Sequence, residues 1–281
     1  MSVNCTEFIF NGISGREYGL VICSFDGSQD GTATAGSNIE FTTFKTPGSD
    51  TWLKTGAAYH EQLTFSFQVC KYSCHAGDIK PFTERELAFL MRWLVRKEYG
   101  WLQFIQEGYE NIFFHCQIKA ERHLIGGQCC GLTLTVTCDA PFGWSQNMTA
   151  TISSSASETI CLYDSSDEIG EVCPSIEIIV GNTPDRQDIT IANSLTGTSM
   201  QIDHCVPGES ITIKKRQIFS SECIAVPDQH KYTGDHTTLY DDFNYQWFTI
   251  GNTFDNRENE ITVTGNCTVT MNWRVPRKAV I

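Results

Sequence analysis

Leu63, Phe65, Phe67 and Val69 alternate with Thr64, Ser66, Gln68 and Cys70, and Leu132, Leu134 and Val136 alternate in the same way with Thr133, Thr135 and Thr137. Successive side chains of a strand point to opposite faces of its sheet, so a period of two commits each run to a strand with one face in a core. Glu7 to Phe10, Gly19 to Cys23, Glu40 to Thr43, Trp101 to Gln106 and Asn111 to Lys119 are further β-branched or aromatic runs bounded by Gly, Asn, Asp or Ser. Together with Gln62 to Cys70 and Gly131 to Cys138 they predict a strand-rich first half. Pro47-Gly48-Ser49-Asp50 is a turn cluster, and Ile125-Gly126-Gly127-Gln128 is another between strands able to form a hairpin. Asp26 to Asn38 has no apolar stripe and reads as an exposed loop or a long hairpin tip.

One helix interrupts this pattern. Thr83 with Glu86 three residues on is a capping box, and Phe82 before it can pack on Leu87 as a hydrophobic staple. Leu87, Leu90, Met91 and Leu94 then fall on one stripe, with Arg85, Arg92 and Arg96 off it, which predicts packing on a sheet. Arg96 and Lys97 suit the helix C-terminus, and Gly100 is placed to take the left-handed turn that ends it.

Beyond Asp139-Ala140-Pro141-Phe142-Gly143-Trp144 the texture changes. Thr149 to Ser157 is rich in Ser, Thr and Ala, marking a linker or an exposed first strand. Short strand signals follow at Ser175 to Val180, Asp188 to Ala192, Met200 to Asp203, Ser210 to Lys214, Trp247 to Ile250, Glu260 to Thr264 and Thr268 to Trp273, without a convincing helix. This spacing predicts an antiparallel sandwich or jelly roll. The 281 residues therefore read as mainly β in two domains: residues 1–145, a β-sandwich-like domain with one α-helix, and residues 146–281, a second β-sandwich.

The formal net charge of −13 divides unevenly: residues 1–145 carry 11 Lys and Arg against 15 Asp and Glu, and the remainder 9 against 18. An acidic surface repels phosphate backbones, so sequence-independent nucleic-acid binding is disfavoured, although such a wall suits DNA sliding past. No window approaches 18 apolar residues, and Met-Ser-Val-Asn-Cys-Thr-Glu lacks the basic and apolar regions of a signal peptide, so membrane spanning and classical secretion are not expected. The 13 cysteines are an odd number without a regular framework, and they read as reduced, structural thiols. Cys70-Lys-Tyr-Ser-Cys74-His75 clusters two thiols and an imidazole, but no second pair follows to complete a zinc site.

The search for chemistry yields no catalytic set. G-x-S-x-G, G-x-G-x-x-G, the P-loop and H-E-x-x-H are absent, the last because Thr64 stands where its second His would be. Asp203-His204-Cys205 cannot converge as a triad, since adjacent strand residues face opposite ways. The carboxylates at Asp241-Asp242 and from Asp164 to Glu168 have the grouping that glycoside hydrolysis or calcium binding needs, yet clustered loop acids in so acidic a chain read as solvated surface. We expect no enzyme, no cofactor and no metal. Tyr240, Tyr245 and Trp247 are candidates for stacking on a saccharide ring, as in a host cell-wall-binding module, set against ordinary packing of Trp247 and Phe248 at the start of a strand.

The order of several pieces resembles the N-terminal domain of siphovirus distal tail proteins. They are Phe8-Ile-Phe-Asn-Gly12, Tyr18-Gly-Leu-Val-Ile-Cys23, Pro47-Gly-Ser-Asp50-Thr-Trp52, Tyr59-His-Glu61-Gln-Leu63-Thr-Phe-Ser-Phe-Gln68, Arg92-Trp93-Leu94, Gly108-Tyr109-Glu110 and Leu132-Thr-Leu-Thr-Val-Thr-Cys-Asp139-Ala-Pro141-Phe-Gly143. The second half is similar, in length and strand texture, to the galectin-like or carbohydrate-module-like sandwich appended in many of these proteins. The resemblance implies a structural virion protein, assembled in the host cytoplasm, that forms a ring, typically a hexamer, at the tip of a long non-contractile tail. The ring joins the tail tube protein to a tail-associated fibre or lysin protein, displays receptor-binding proteins in some phages, and lets DNA pass through its lumen. No catalytic residue belongs to the family pattern. The richness in cysteine departs from it.

Overall fold

The computed structural model describes residues 7–25, 39–72, 80–227 and 231–278. The predicted loop Asp26 to Asn38, and Cys74 with His75, lie outside them. The chain divides into two compact units, Met1–Gln146 with Pro276–Ile281, and Asn147–Val275. The end of the chain thus joins the first unit, which a linear division at residue 145 does not anticipate.

The strands of the first unit are β1 (Phe8–Phe10), β2 (Ile13–Ser14), β3 (Leu20–Cys23), β4 (Ile39–Lys45), β5 (Trp52–Tyr59), β6 (Thr64–Lys71), β7 (Gly100–Phe104), β8 (Phe113–Ile125), β9 (Gln128–Cys138) and β10 (Gly143–Trp144), with α1 (Glu84–Leu94) between β6 and β7. Seven of them run in the order β2-β1-β7-β8-β9-β6-β3 in one antiparallel sheet, to which β10 is added by pairing with β8. The alternation in β6 and β9 does what it predicts: Phe65 faces Val136 and Phe67 faces Leu134 on the buried side. β8 and β9 are joined by a two-residue turn in which Gly126 and Gly127 both have positive φ, the geometry that Gly-Gly supplies.

α1 covers this sheet. Its capping box is formed: Thr83 Oγ1 accepts from the Glu86 N–H, while the Glu86 carboxylate accepts from the Thr83 N–H at 2.8 Å. Lys71, 2.7 Å from Glu86, donates to the same carboxylate and, with that N–H, holds the carboxyl down to about 2. Leu87, Leu90 and Leu94 are buried and Met91 partly so. Trp93, off the predicted stripe, is buried as well, stacking 5.8 Å from Phe8 and donating its indole N–H to the Phe10 carbonyl. The expected stop at Gly100 is not used. Val95, in extended backbone, ends the helix, and Gly100 begins β7, where a Cβ would lie 2.5 Å from the ring of Phe10.

The second unit contains β11 (Met148–Ser154), β12 (Ser157–Tyr163), β13 (Gly170–Val172), β14 (Ser175–Val180), β15 (Gln187–Asn193), β16 (Thr198–Cys205), β17 (Ser210–Lys214), β18 (Gln217–Ser220), β19 (Ile224–Val226), β20 (Lys231–Thr233), β21 (Ile250–Asn252), β22 (Glu258–Thr264) and β23 (Cys267–Trp273). A five-stranded sheet, β11-β23-β14-β17-β18, and a four-stranded sheet, β12-β22-β15-β16, share one apolar core. Ile178, Ile191, Ile202, Val263 and Val269 are fully buried, while hydroxyl pairs such as Thr159 with Thr262 and Ser153 with Thr268 line up across strands on exposed positions. Thr149 to Ser157 therefore contains a first strand. The helix α2 (Leu239–Asp242), too short to leave a periodic signal, lies between β20 and β21, and the strand expected at Trp247 begins only at Ile250. β24 (Pro276–Arg277) pairs with β10 in the first unit. Among the described residues no helix is long and apolar enough to cross a membrane.

The helix stripe gives a direct test. Leu90→Asp puts an unpaired carboxylate at a site 2% exposed, and we expect the first unit to lose on the order of 3 kcal/mol or more. Phe89→Asp, one residue away but 50% exposed, should change the melting transition little.

Candidate functional site

Among the described residues, strands β4 and β5 pair only with each other. Opposite Thr42 and Thr43 stand Gly56 and Lys54, so Thr55 is an extra residue in β5, a bulge that resets the alternation. Phe41, Ile39 and Trp52 consequently share one face, and Phe44 lies directly opposite Leu53 on the other. Both faces are in water: Phe41 is 56% exposed, Phe44 57%, Trp52 65% and Leu53 56%. The Lys54 ammonium lies 4.6 Å from the centre of the Phe41 ring and that of Lys45 5.9 Å from Trp52, a thin cationic cover over aromatic surface. The strand signal at Glu40 to Thr43 locates β4, but β5 carries no such signal, although its ends, Trp52 and Tyr59, fall within the pieces that carry the resemblance.

The three aromatic candidates of the second unit divide. Tyr240, in α2, is half-buried, with its ring 5.2 Å from Tyr232 and its hydroxyl donating to the Ile218 carbonyl. Tyr245 and Trp247 meet instead on the buried ring of Phe243, at 5.1 and 4.9 Å. Trp247 packs against the core, but not as the start of a strand, and Phe248 is buried. Tyr245 is 58% exposed and takes φ +56. Asn244 fixes it there, accepting from the Gln201 and Gln246 N–H groups and donating to the Ser199 carbonyl.

A third cluster was legible only in part: Asp242, read from the sequence as solvated surface, and His204 belong to it, but its buried centre, His236 with Glu209, carries no sequence signal, and Asp242 is 16% exposed because it pairs with both imidazoles. His236 is fully buried, with Nδ1 2.9 and 3.0 Å from the two oxygens of the equally buried Glu209 and Nε2 3.3 Å from Asp242 Oδ2. Glu209 also accepts from the Ser220 hydroxyl and the Val206 N–H, and Asp242 pairs with His204 at 3.1 Å. Gly234, at φ +109 and with the Glu222 carbonyl where a Cβ would stand, lets the chain bend so that the His236 N–H reaches that carbonyl. Burial opposes the charged imidazole, but Glu209 and then Asp242 outweigh it, so His236 titrates above its ordinary 6.5. Burial likewise opposes the two carboxylates, and their hydrogen bonds win, so both titrate below their ordinary range. In this arrangement His204 leans outward on Asp242 while Cys205 is buried, its thiol pushed up by burial, and the two share no site. Among the described residues no group of three or more His, Cys, Asp and Glu is placed to hold a metal ion.

Residues 3–140 match the family described as phage tail protein N-terminal domain, and residues 142–273 match phage tail C-terminal domain. A comparison with curated proteins finds no match. Among solved structures the chain is similar to the Dit protein of phage SPP1, described as a paradigm of the hub adsorption apparatus in phages infecting Gram-positive bacteria, with a TM-score of 0.55 and 12% identity over 95% of this chain and 98% of that one. It is also similar to chains of the phage P2 baseplate in its activated conformation. With calcium the TM-score is 0.46 at 9% identity, over 98% and 99% of the two chains; with strontium it is 0.45 at 10%, over 95% and 97%. At 12% identity the likeness to the SPP1 protein is one of fold.

The His236 cluster makes the second unit sensitive to pH on two sides. A group whose pKa is raised on folding stabilises fully below its unfolded value, so the His236 contribution fades as pH climbs past about 6.5 and through the folded value. Glu209 and Asp242, held down, contribute above about 4.5 and lose that as pH falls. Calorimetry should show the second unit melting highest between about pH 5 and 6.5 on this account. His236→Gln should cost about 3 kcal/mol by leaving Glu209 uncompensated, and should flatten the alkaline side of the profile.

Proposed function

We propose, on the premise that this chain belongs to the phage tail proteins built from those N- and C-terminal domains, that it forms a ring at the distal tip of a long non-contractile tail. Its task there is geometric: to join the tail tube protein to a tail-associated fibre or lysin protein and to carry host-adhesion components. The observation that supports this reading most is the β4–β5 arm. An isolated two-stranded hairpin is marginal in water, and this one holds large apolar side chains out on both faces. One patch of a subunit meeting a different patch of its neighbour gives a heterologous contact, and a rotation that closes makes a ring, a hexamer in the reading drawn from the resemblance. The hub-like fold agrees with this, and the net charge of −13 suits a lumen through which DNA passes without binding.

A second reading, that the second unit binds a host cell-wall saccharide, draws on Tyr245, an exposed aromatic ring held in the left-handed region by Asn244. The two readings are compatible, because a ring protein can carry a binding module. Tyr245→Ala tests this one more cleanly than Trp247→Ala, whose side chain packs on the core. Saccharide binding on a glycan array that disappears in Tyr245→Ala would support it, and no binding by the parent protein at millimolar sugar would end it.

For the ring, Phe41→Asp with Trp52→Asp should leave the melting of both units within about 0.5 kcal/mol, because both side chains are mostly exposed. The same variant should lower the mass in solution to that of a single chain. Rings surviving in negative stain would remove the arm from the interface. A parent protein that stays monomeric at high concentration, and alongside its tube and fibre partners, would overturn the reading.

A further inference from the structure

Strand β3 is one edge of the sheet in the first unit, held on one side only by β6. The register sets Val21 opposite Cys70 and Cys23 opposite Gln68, so Cys23 and Cys70 are diagonal neighbours on the same face. That face is the one turned from the core, since Ile22 and Val69 between them point inward, and both thiols are half-buried. The chain just beyond Cys23 is tied down on the same surface. The Phe25 N–H donates to the Gln68 side chain at 2.7 Å, and its ring stacks 4.1 Å from His123. The ring also passes over Gly131, the residue opposite Cys70 in β9, where a Cβ would lie 2.1 Å from it. Glycine there leaves the room that brings Cys23 back to Cys70.

We propose that Cys23 and Cys70 are a redox-responsive thiol pair that closes to a disulfide on exchange with a small soluble disulfide, stapling the edge strand β3 to β6. The register places the two thiols close enough to interact, and their roles are unequal: that interaction draws the Cys70 thiol down to about 7 and pushes Cys23 up. Cys70 is thus the attacking thiolate and Cys23 the resolving thiol. The Cys70 thiolate attacks one sulfur of the soluble disulfide and expels one small thiolate, leaving a mixed disulfide. Cys23 then gives its proton to solvent and attacks the Cys70 sulfur, expelling the second small thiolate. Two protein thiols are oxidised and one soluble disulfide is reduced to two thiols.

Closing the bond needs the sulfurs to approach to about 2.05 Å, and the last residue of a strand held on one side can make that shift. Cys116 and Cys138 form the contrasting pair. They stand directly opposite across β8 and β9, next to a hydrogen bond from the Asp139 N–H to the His115 carbonyl, but both are fully sealed and burial pushes both thiols up. Proximity is shared by the two pairs, whereas access and a thiolate belong to Cys23 and Cys70. A virion component meets both compartments, thiols staying reduced inside the cell and disulfides persisting outside it. That use rests on the tail assignment, whereas the chemistry of the pair rests on the sheet alone.

The test treats the reduced full-length protein with oxidised glutathione near neutral pH, alkylates the remaining thiols and maps the peptides by mass spectrometry. The expected product is a reductant-sensitive Cys23–Cys70 link in near-stoichiometric yield, with greater hydrogen-exchange protection of the β3 amides. In Cys23→Ser, Cys70 should keep a lasting glutathione adduct. In Cys70→Ser, Cys23 should remain open to alkylation. The proposal is overturned if the parent protein ends with glutathione on Cys70, with Cys70 linked to another cysteine, or with both thiols unreacted while the exposed Cys161 and Cys173 take up glutathione.

Discussion

Apolar surface in water costs about 25 cal/mol for each Å², and this chain leaves a concentrated share of it on one hairpin. Phe41, Phe44, Trp52 and Leu53 would each be a core residue elsewhere in the molecule, and among the described residues no other strand pairs with the arm they occupy. The sheet beside it has no need of them. Its core is already closed by Phe8, Phe10, Phe65, Phe67, Phe104 and Phe114 under the helix. On the proposed reading, an element that the fold can spare, and that water does not favour, is covered by a surface supplied from outside the chain, and the chain's membership of the phage tail proteins is in keeping with that surface being part of a tail.

The two units solve the problem of internal stability differently. The first relies on aromatic packing and a well-capped helix, and its polar groups stay near the rim, as the Lys71–Glu86 pair does. The second buries an ionised cluster. An imidazolium between Glu209 and Asp242 ties the turn before β17 to α2, and the separate Asn193–Asn259 amide pair ties β15 to β22. Buried polar groups of this kind are costly unless fully paired, so they fix one arrangement of the loops around the sandwich. Tyr245, held by Asn244 against β16, is presented from that fixed surface.

What could be read from the residues follows physical range. The α1 start is local chemistry, a capping box within four residues, and it was legible. So were β6, β9 and most strands of the second sandwich, whose alternation is unbroken. β5 was not, because Trp-Leu-Lys-Thr-Gly-Ala-Ala-Tyr contains a bulge at Thr55 that breaks the period of two in the middle of the strand. Gly100 misled for a related reason: a glycine after a helix commonly marks a left-handed cap, but here it makes room for Phe10, a contact that lies 90 residues away in the chain. The Cys23–Cys70 pair depends on register between distant strands, and the His236 cluster on two loops and a short helix that only the fold brings together, for which a single sequence holds no period. Likewise Tyr240, Tyr245 and Trp247 looked like one group in order along the chain, and the fold gives Tyr240 a partner of its own in Tyr232.

The central claim is that the arm exists to be covered by another copy of the chain. Hydrogen exchange on the full-length protein, compared between dilute and concentrated samples, reads this directly at the amides of Ile39–Lys45 and Trp52–Tyr59. The account predicts fast exchange in the arm when dilute and strong protection when concentrated, with the amides of β6 and β9 protected in both. An arm that exchanges equally fast at every concentration, in a sample whose mass shows it has assembled, would contradict it.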